Sequence, residues 1–246
     1  MKNSTAPITL FIPCLVDQVY PEIGIAMVKI LKNFGYIIEY LPEQTCCGQP
    51  AFNAGYLDEA RKVAGNFIKV FDSAELIVAP SGSCTAMVRK YYPQLFSGTD
   101  LEEQANRVSK SVLEFSEFLA RENLIDKLSG TYQGRVSFHN SCHSYREIGI
   151  KETPEKIFNQ ISGMEYIAAP GEPVCCGFGG LFSFKYDTIS ASMANVRLQT
   201  FVDLQVNTLV VNDPGCIMHM RQEAIDRKID MKILYLTEFL VQAMDL

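Results

Sequence analysis

Short apolar runs alternate along this chain with stretches in which apolar residues recur at helical spacing. Residues 8–12 are apolar but for Thr9 and predict a buried strand ending just before Cys14. Tyr20, Ile23, Met27, Ile30, Leu31 and Phe34 follow at intervals of a helical face, and Gly35 ends the pattern. Residues 36–40 read as a second strand, Ala60, Val63, Ala64, Phe67, Ile68 and Phe71 as a second amphipathic helix, and residues 76–79 as a third strand. The same plan returns later, with strands at 136–138, 166–168 and 209–211 and helices near 153–161 and 188–201. Between the two sets, Leu101, Ala105, Val108, Val112, Phe115 and Leu119 predict an amphipathic connector, residues 101–125, that packs both copies. Strands alternating with helices imply an α/β fold with parallel strands and crossover helices. The expected architecture is two homologous Rossmann-like halves, each a small parallel sheet, with a first domain over residues 1–130 and a second over 131–246.

The cysteines repeat with the same period. They stand at 14, 46, 47 and 84, and again at 142, 175, 176 and 216. Cys46-Cys47-Gly48 matches Cys175-Cys176-Gly177, and SGSC ending at Cys84 matches DPGC ending at Cys216. Each copy closes on a similar tetrapeptide, Ser116-Glu117-Phe118-Leu119 and Thr237-Glu238-Phe239-Leu240. A repeat of about 125 residues is far longer than a solenoid unit and indicates a duplicated domain. Every cysteine position follows a predicted strand. In parallel sheets ligands sit beyond the carboxyl ends of the strands, so strand order would bring these distant residues to one edge.

Eight thiols need a chemical reason. Disulfide frameworks belong mostly to small secreted domains short of core. Here 246 residues, 48% of them apolar, suffice for a core. The opening MKNSTAPITLFIPCL has one Lys, a short apolar run broken by Pro13 and no small-residue cleavage site, so a cytoplasmic location is expected. No run of about 18 apolar residues predicts a membrane span. With 22 Lys+Arg against 28 Asp+Glu, a net charge of −6 argues against a nucleic-acid partner. In a reducing compartment the thiols point to metal ligation or redox chemistry, with inert core cysteines as the plainer alternative. Cysteine-only sites select zinc or iron–sulfur clusters. Neither copy has the short C-x2–4-C knuckles of a structural zinc finger. Adjacent cysteines suit two neighbouring metal atoms better than one tetrahedral ion. A cluster is therefore favoured, with zinc open in one half.

On these residues, together with CCGFGG and the HNSCH segment around Cys142, the chain resembles the duplicated cysteine-rich, or CCG, domain family. That family includes the cysteine-rich subunit of heterodisulfide reductase, the iron–sulfur subunit of glycolate oxidase and, most similar in length and pattern, the lactate-utilisation A proteins. The resemblance spans the chain. It implies an iron–sulfur electron-transfer subunit in a multi-protein system that oxidises a 2-hydroxy acid, L-lactate to pyruvate. It also implies a ferredoxin-like iron–sulfur partner and other lactate-utilisation subunits. The heterodisulfide reductase relative uses five cysteines per copy, C…CC…C-x-x-C. Carried over, Cys14, Cys46, Cys47 and Cys84 match in the first copy, and Cys142, Cys175, Cys176 and Cys216 in the second. Ser81 and Asp213 stand at the fifth position, which puts the noncubane cluster and a thiol/disulfide activity in doubt. Four thiolates per copy still satisfy an ordinary [4Fe-4S] cluster. The oxygen of either Ser81 or Asp213 can act as a weak iron ligand, or the position is open, and Ser81 can instead cap the helix that carries Cys84.

Among other residues, His143 is the histidine best placed to ligate metal. His139 and His219 are candidates for hydrogen bonds to a cluster or for plain structural roles. Arg146 could balance an anionic cluster, clamp a carboxylate or pair with a nearby acid. Gly177-Phe178-Gly179-Gly180 fits neither nucleotide-loop motif and reads as backbone that approaches a bulky group closely. With no flavin or nicotinamide motif read, removal of hydride from a substrate is expected to need another component. A zinc-stabilised module that docks a redox partner is the alternative from a different class.

Overall fold

The computed structural model describes residues 7–246 and contains two four-stranded sheets, all parallel. In the first, β1 (Ile8–Leu10), β2 (Ile38–Tyr40), β3 (Ile77–Ala79) and β4 (Val112–Glu114) lie in the order β2-β1-β3-β4. In the second, β5 (Gly130–His139), β6 (Ile161–Tyr166), β7 (Thr208–Val211) and β8 (Lys232–Tyr235) repeat that order as β6-β5-β7-β8. The expected α/β class and the repeated halves are therefore what the chain adopts.

Each sheet is held by the crossovers that the patterning predicts. Helix Pro21–Asn33 buries Ile23, Met27, Ile30 and Leu31. Helix Leu57–Phe71 buries Ala60, Ala64, Phe67, Ile68 and Phe71 and carries Asp58 and Glu59 in its first turn, where carboxylates complement the helix dipole. Phe11, at the end of β1, meets Phe67 edge to face with centroids 4.7 Å apart. A fully buried phenylalanine of this kind contributes about 1.5–3 kcal/mol relative to exposure. In the second half, helix Asp187–Asp203 takes the corresponding place and buries Ala194, Leu198 and Phe201.

Three expectations change. The segment 101–125 is not one amphipathic connector: helix Glu102–Ser111 and helix Phe115–Arg121 flank β4, a fourth strand that pairs with β3 from Ile77↔Val112 to Ala79↔Glu114. Val112, Leu113 and Glu114 are buried there, and sheet pairing overrides a helical spacing that is only locally coherent. The strand expected at 166–168 instead runs Ile161–Tyr166, because β5 is ten residues long and draws Ser162, Glu165 and Tyr166 into register with Thr131, Arg135 and Val136. β8 has no counterpart in the patterning. The chain divides into a unit ending at Phe118 and a unit from Leu119 to Leu246. Within the second unit the turn Ile125–Lys127 packs on helix Thr153–Phe158.

The repeated tetrapeptides acquire a role. Glu117 accepts two hydrogen bonds from Arg89, at 2.8 and 2.7 Å, and Glu238 pairs with Arg221 at 3.0 Å. Arg89 and Arg221 each lie five residues after the last cysteine of their copy. The ion pair thus ties the helical segment behind that cysteine to the helix that follows the last strand.

Candidate metal centre

In each half the strand order reverses direction between the first and third strands, β1 and β3 or β5 and β7. That reversal opens a crevice at the carboxyl edge of the sheet. Cys14 begins the short helix Cys14–Gln18 just past β1, and Cys84 lies in helix Gly82–Ala86 just past β3. Cys46 and Cys47 arrive on the loop after β2.

That loop is pinned by residues the patterning does not single out. Gln44 accepts from the Ile12 backbone N–H at 2.6 Å and donates to the carbonyls of Leu10 and Leu41, so it joins the loop to the end of β1. Gln49 donates to the Ser83 carbonyl at 3.1 Å, joining the loop to the Cys84 turn. Tyr92, fully buried, donates its hydroxyl to the Cys47 carbonyl at 2.9 Å. Tyr92→Phe should leave that carbonyl without its partner and lower stability by about 1–3 kcal/mol. It should also speed metal loss from the first half alone, as metal release to a chelator would report.

The four thiols of each half meet. In the first, Cys46 is hydrogen-bonded to Cys14 and to Cys47, and Cys47 to Cys84. In the second, Cys175 is bonded to Cys142 and Cys176, and the Cys176 Sγ donates to the Cys216 Sγ at 3.0 Å. All eight are free thiols. Hydrogen bonds from Cys14, then from Cys47, hold Cys46 down to about 3. Those from Cys142, then from Cys176, hold Cys175 down to about 2. Sharing with Cys46 and burial push Cys14 up, and sharing with Cys46 and Cys84 pushes the buried Cys47 well up. Cys142 and Cys176 rise in the same way. Within each quartet the shared hydrogen bonds favour charge on Cys46 and Cys175 and protons on their neighbours, which a bound cation would displace.

The glycine of each CCG has a steric cause. Gly48 lies at φ +83° and Gly177 at φ +89°, where side chains are strained. A Cβ on Gly177 would stand 2.6 Å from the Ser190 carbonyl oxygen, and one on Gly48 3.2 Å from that of Ala60. These atoms belong to the helix after the loop, so the close approach at both glycines is helix against loop.

Ser81 and Asp213 serve as caps. The Ser81 Oγ accepts from the Cys84 backbone N–H at 3.2 Å, and Asp213 accepts from that of Gly215 at 3.1 Å. Ser81→Ala is expected to lose about 0.5–2 kcal/mol in urea unfolding and to keep its metal. A loss of iron from a folded variant would mark Ser81 as a ligand instead. Among the histidines, His143 Nδ1 lies 3.7 Å from the Cys142 Sγ, whereas His219 Nε2 is engaged by Ser190 at 2.9 Å. Arg146 donates to the Pro173 carbonyl at 3.2 Å, across to the loop that carries Cys175. His139 is fully buried, and one of its ring nitrogens lies within 4.8 Å of the sulfurs of both Cys176 and Cys216. Burial, then the charge of Arg197, holds its imidazole down to about 3.

This donor set and its duplication coincide with a known family. The model of the cysteine-rich domain named CCG matches residues 8–89 and 136–221. Lactate utilization protein A of Oceanobacillus iheyensis is 37% identical over 234 residues, covering 95% of this chain and 96% of the relative. That of Anoxybacillus flavithermus is 34% identical over 95% of this chain and 98% of its own. The chain belongs to the Lactate utilization protein A family of duplicated CCG proteins. Among solved structures, glutamate racemase from Francisella tularensis subsp. tularensis aligns with 96% of this chain and 78% of its own, at 15% identity and a TM-score of 0.40. Both CCG matches take in a complete cysteine quartet, and His139, Arg146 and Arg197 fall within the second. Among the described residues no helix is long and apolar enough to cross a membrane.

Proposed function

We propose that this CCG protein is an iron–sulfur electron-transfer subunit of a multi-protein system that oxidises L-lactate to pyruvate. The observation that carries this reading is the meeting of four thiols at the sheet edge of each half. The donors fit the group: soft thiolates from three loops, with Cys47, Cys84, Cys176 and Cys216 buried. On this reading Cys14, Cys46, Cys47 and Cys84 hold one [4Fe-4S] cluster, and Cys142, Cys175, Cys176 and Cys216 hold the other. Bound there, a cluster supplies one-electron acceptance and release.

The protein's own residues position and insulate. Gln44, Gln49 and Tyr92 fix the first CCG loop, and the buried cysteines close the inner side of each site to water. Cys14, Cys46, Cys142 and Cys175 are only partly buried, which leaves an outer side for a redox partner. The partners this reading requires are other lactate-utilisation subunits, among them a ferredoxin-like iron–sulfur protein. The relatives are lactate utilization proteins, which supports the pathway.

A second reading has one observation in its favour. His139, Cys176 and Cys216 form a buried mixed nitrogen–sulfur trio of the kind zinc takes, which would make the second half a zinc-stabilised docking module. Anaerobic purification of the full chain followed by iron, sulfide and zinc analysis separates the two. The expected result is about four iron and four sulfide per half, with visible absorption that bleaches on reduction. A colourless chain with stoichiometric zinc and no sulfide would overturn the iron–sulfur assignment.

A further inference from the structure

The two sites are built alike but backed by different chemistry. Gly48 lies against the carbonyl of Ala60 and Gly177 against that of Ser190, so these two helix positions correspond. Seven residues further on stand Phe67 and Arg197. Three residues before the first cysteine of each copy stand Phe11 and His139. The first half therefore has an edge-to-face pair, Phe11–Phe67, where the second has a buried polar pair. In that pair the Arg197 Nε donates to the His139 Nδ1 at 3.2 Å.

A guanidinium has donors and no acceptor. His139 Nδ1 must therefore accept, and the ring proton must sit on Nε2. That Nε2–H is buried and has no hydrogen-bond partner in the protein. An unsatisfied buried donor is costly, and few survive in native structures without a cause. The imidazole that carries it reaches within 4.8 Å of the Cys176 and Cys216 sulfurs.

We propose that His139 donates an Nε2–H···S hydrogen bond to the metal centre of the second half. With the Arg197 cation behind it, this bond sets the reduction potential of that centre above the potential of the first. The second clause rests on the iron–sulfur reading above. Hydrogen bonds to sulfur and nearby positive charge both favour the reduced, more negative state of a cluster. Phe11 and Phe67 offer the first site neither. His139 is a positioning residue here and not a ligand, because coordination through Nε2 would require that nitrogen to give up its proton.

The test is redox potentiometry followed by EPR on the anaerobic full chain. Wild type should show two midpoints. The double variant His139→Phe/Arg197→Phe, which recreates the pair of the first half, should lower only the higher midpoint toward the other and leave iron content unchanged. His139→Gln, which keeps an N–H in reach of the site, should hold the midpoint near that of wild type and serves should the double variant fold poorly. Unmoved midpoints in an iron-replete double variant would overturn the proposal, as would selective loss of second-half iron from either variant. Should wild type carry zinc without sulfide, the iron–sulfur reading fails, and histidine 15N NMR of the zinc-loaded chain judges the hydrogen bond. A retained Nε2 proton supports it, and a deprotonated, metal-bound Nε2 overturns it.

Discussion

Cys176→Ser should empty the second centre and leave the first loaded, so that iron per chain falls to about half while the fold persists. Cys176 is 2% exposed and stands between two others, bonded to Cys175 on one side and to Cys216 at 3.0 Å on the other. Serine keeps the shape but offers a hard, weakly acidic oxygen where a soft thiolate is required. Cys47→Ser should do the same to the first half. Elemental analysis with circular dichroism reads both variants, and full iron in either would sink the quartet assignment. The same quartets set a pH dependence. Cys14, Cys47, Cys142 and Cys176 are pushed up and hold their protons in the metal-free fold, so loading must release them. Metal affinity is therefore expected to rise with pH and fall on acidification. Proton release during reconstitution in weakly buffered solution would measure it, and loading without release would contradict the shared-proton arrangement.

Gly177→Ala should destabilise the second half and loosen its hold on metal. The backbone conformation at φ +89° costs about 1–2 kcal/mol for an L side chain. The new Cβ would also sit 2.6 Å from the Ser190 carbonyl oxygen and 2.8 Å from the Met193 Cβ. Neither is the loose end of a flexible side chain, so the loop must move off the helix, at a further cost of about 1–3 kcal/mol. The displaced loop carries Cys175 and Cys176, and metal retention should fall with stability. Gly149→Ala is the control, since Gly149 has a similar φ of +79° and nothing within 4 Å of the added carbon. It should show the conformational cost alone. Gly48→Ala, whose nearest contact is 3.2 Å, should fall between them. Equal losses in urea unfolding at Gly177 and Gly149 would show that helix packing is not the reason for the CCG glycine.

The duplication, the cysteine quartets and the α/β class are properties of local pattern. Residues 8–12, 76–79 and 209–211 are short, apolar and followed by a cysteine, and a buried parallel strand needs little else to be legible. The spacing alone also places Ser81 and Asp213 one turn before the last cysteines, where they cap the helices that begin there. What the pattern does not carry is everything that depends on which strands become neighbours. β4 is hidden inside a stretch of helical spacing, and β4 and β8 take their identity from pairing with β3 and β7. The order β2-β1-β3-β4 puts the crevice between the strands that precede Cys14 and Cys84, and periodicity says nothing of strand order. The pairing of His139 with Arg197 joins residues 58 apart, one at a strand end and one in a helix interior. Each alone looks ordinary in the sequence. Only the packed half brings them together, where the imidazole accepts one of the buried guanidinium's hydrogen bonds.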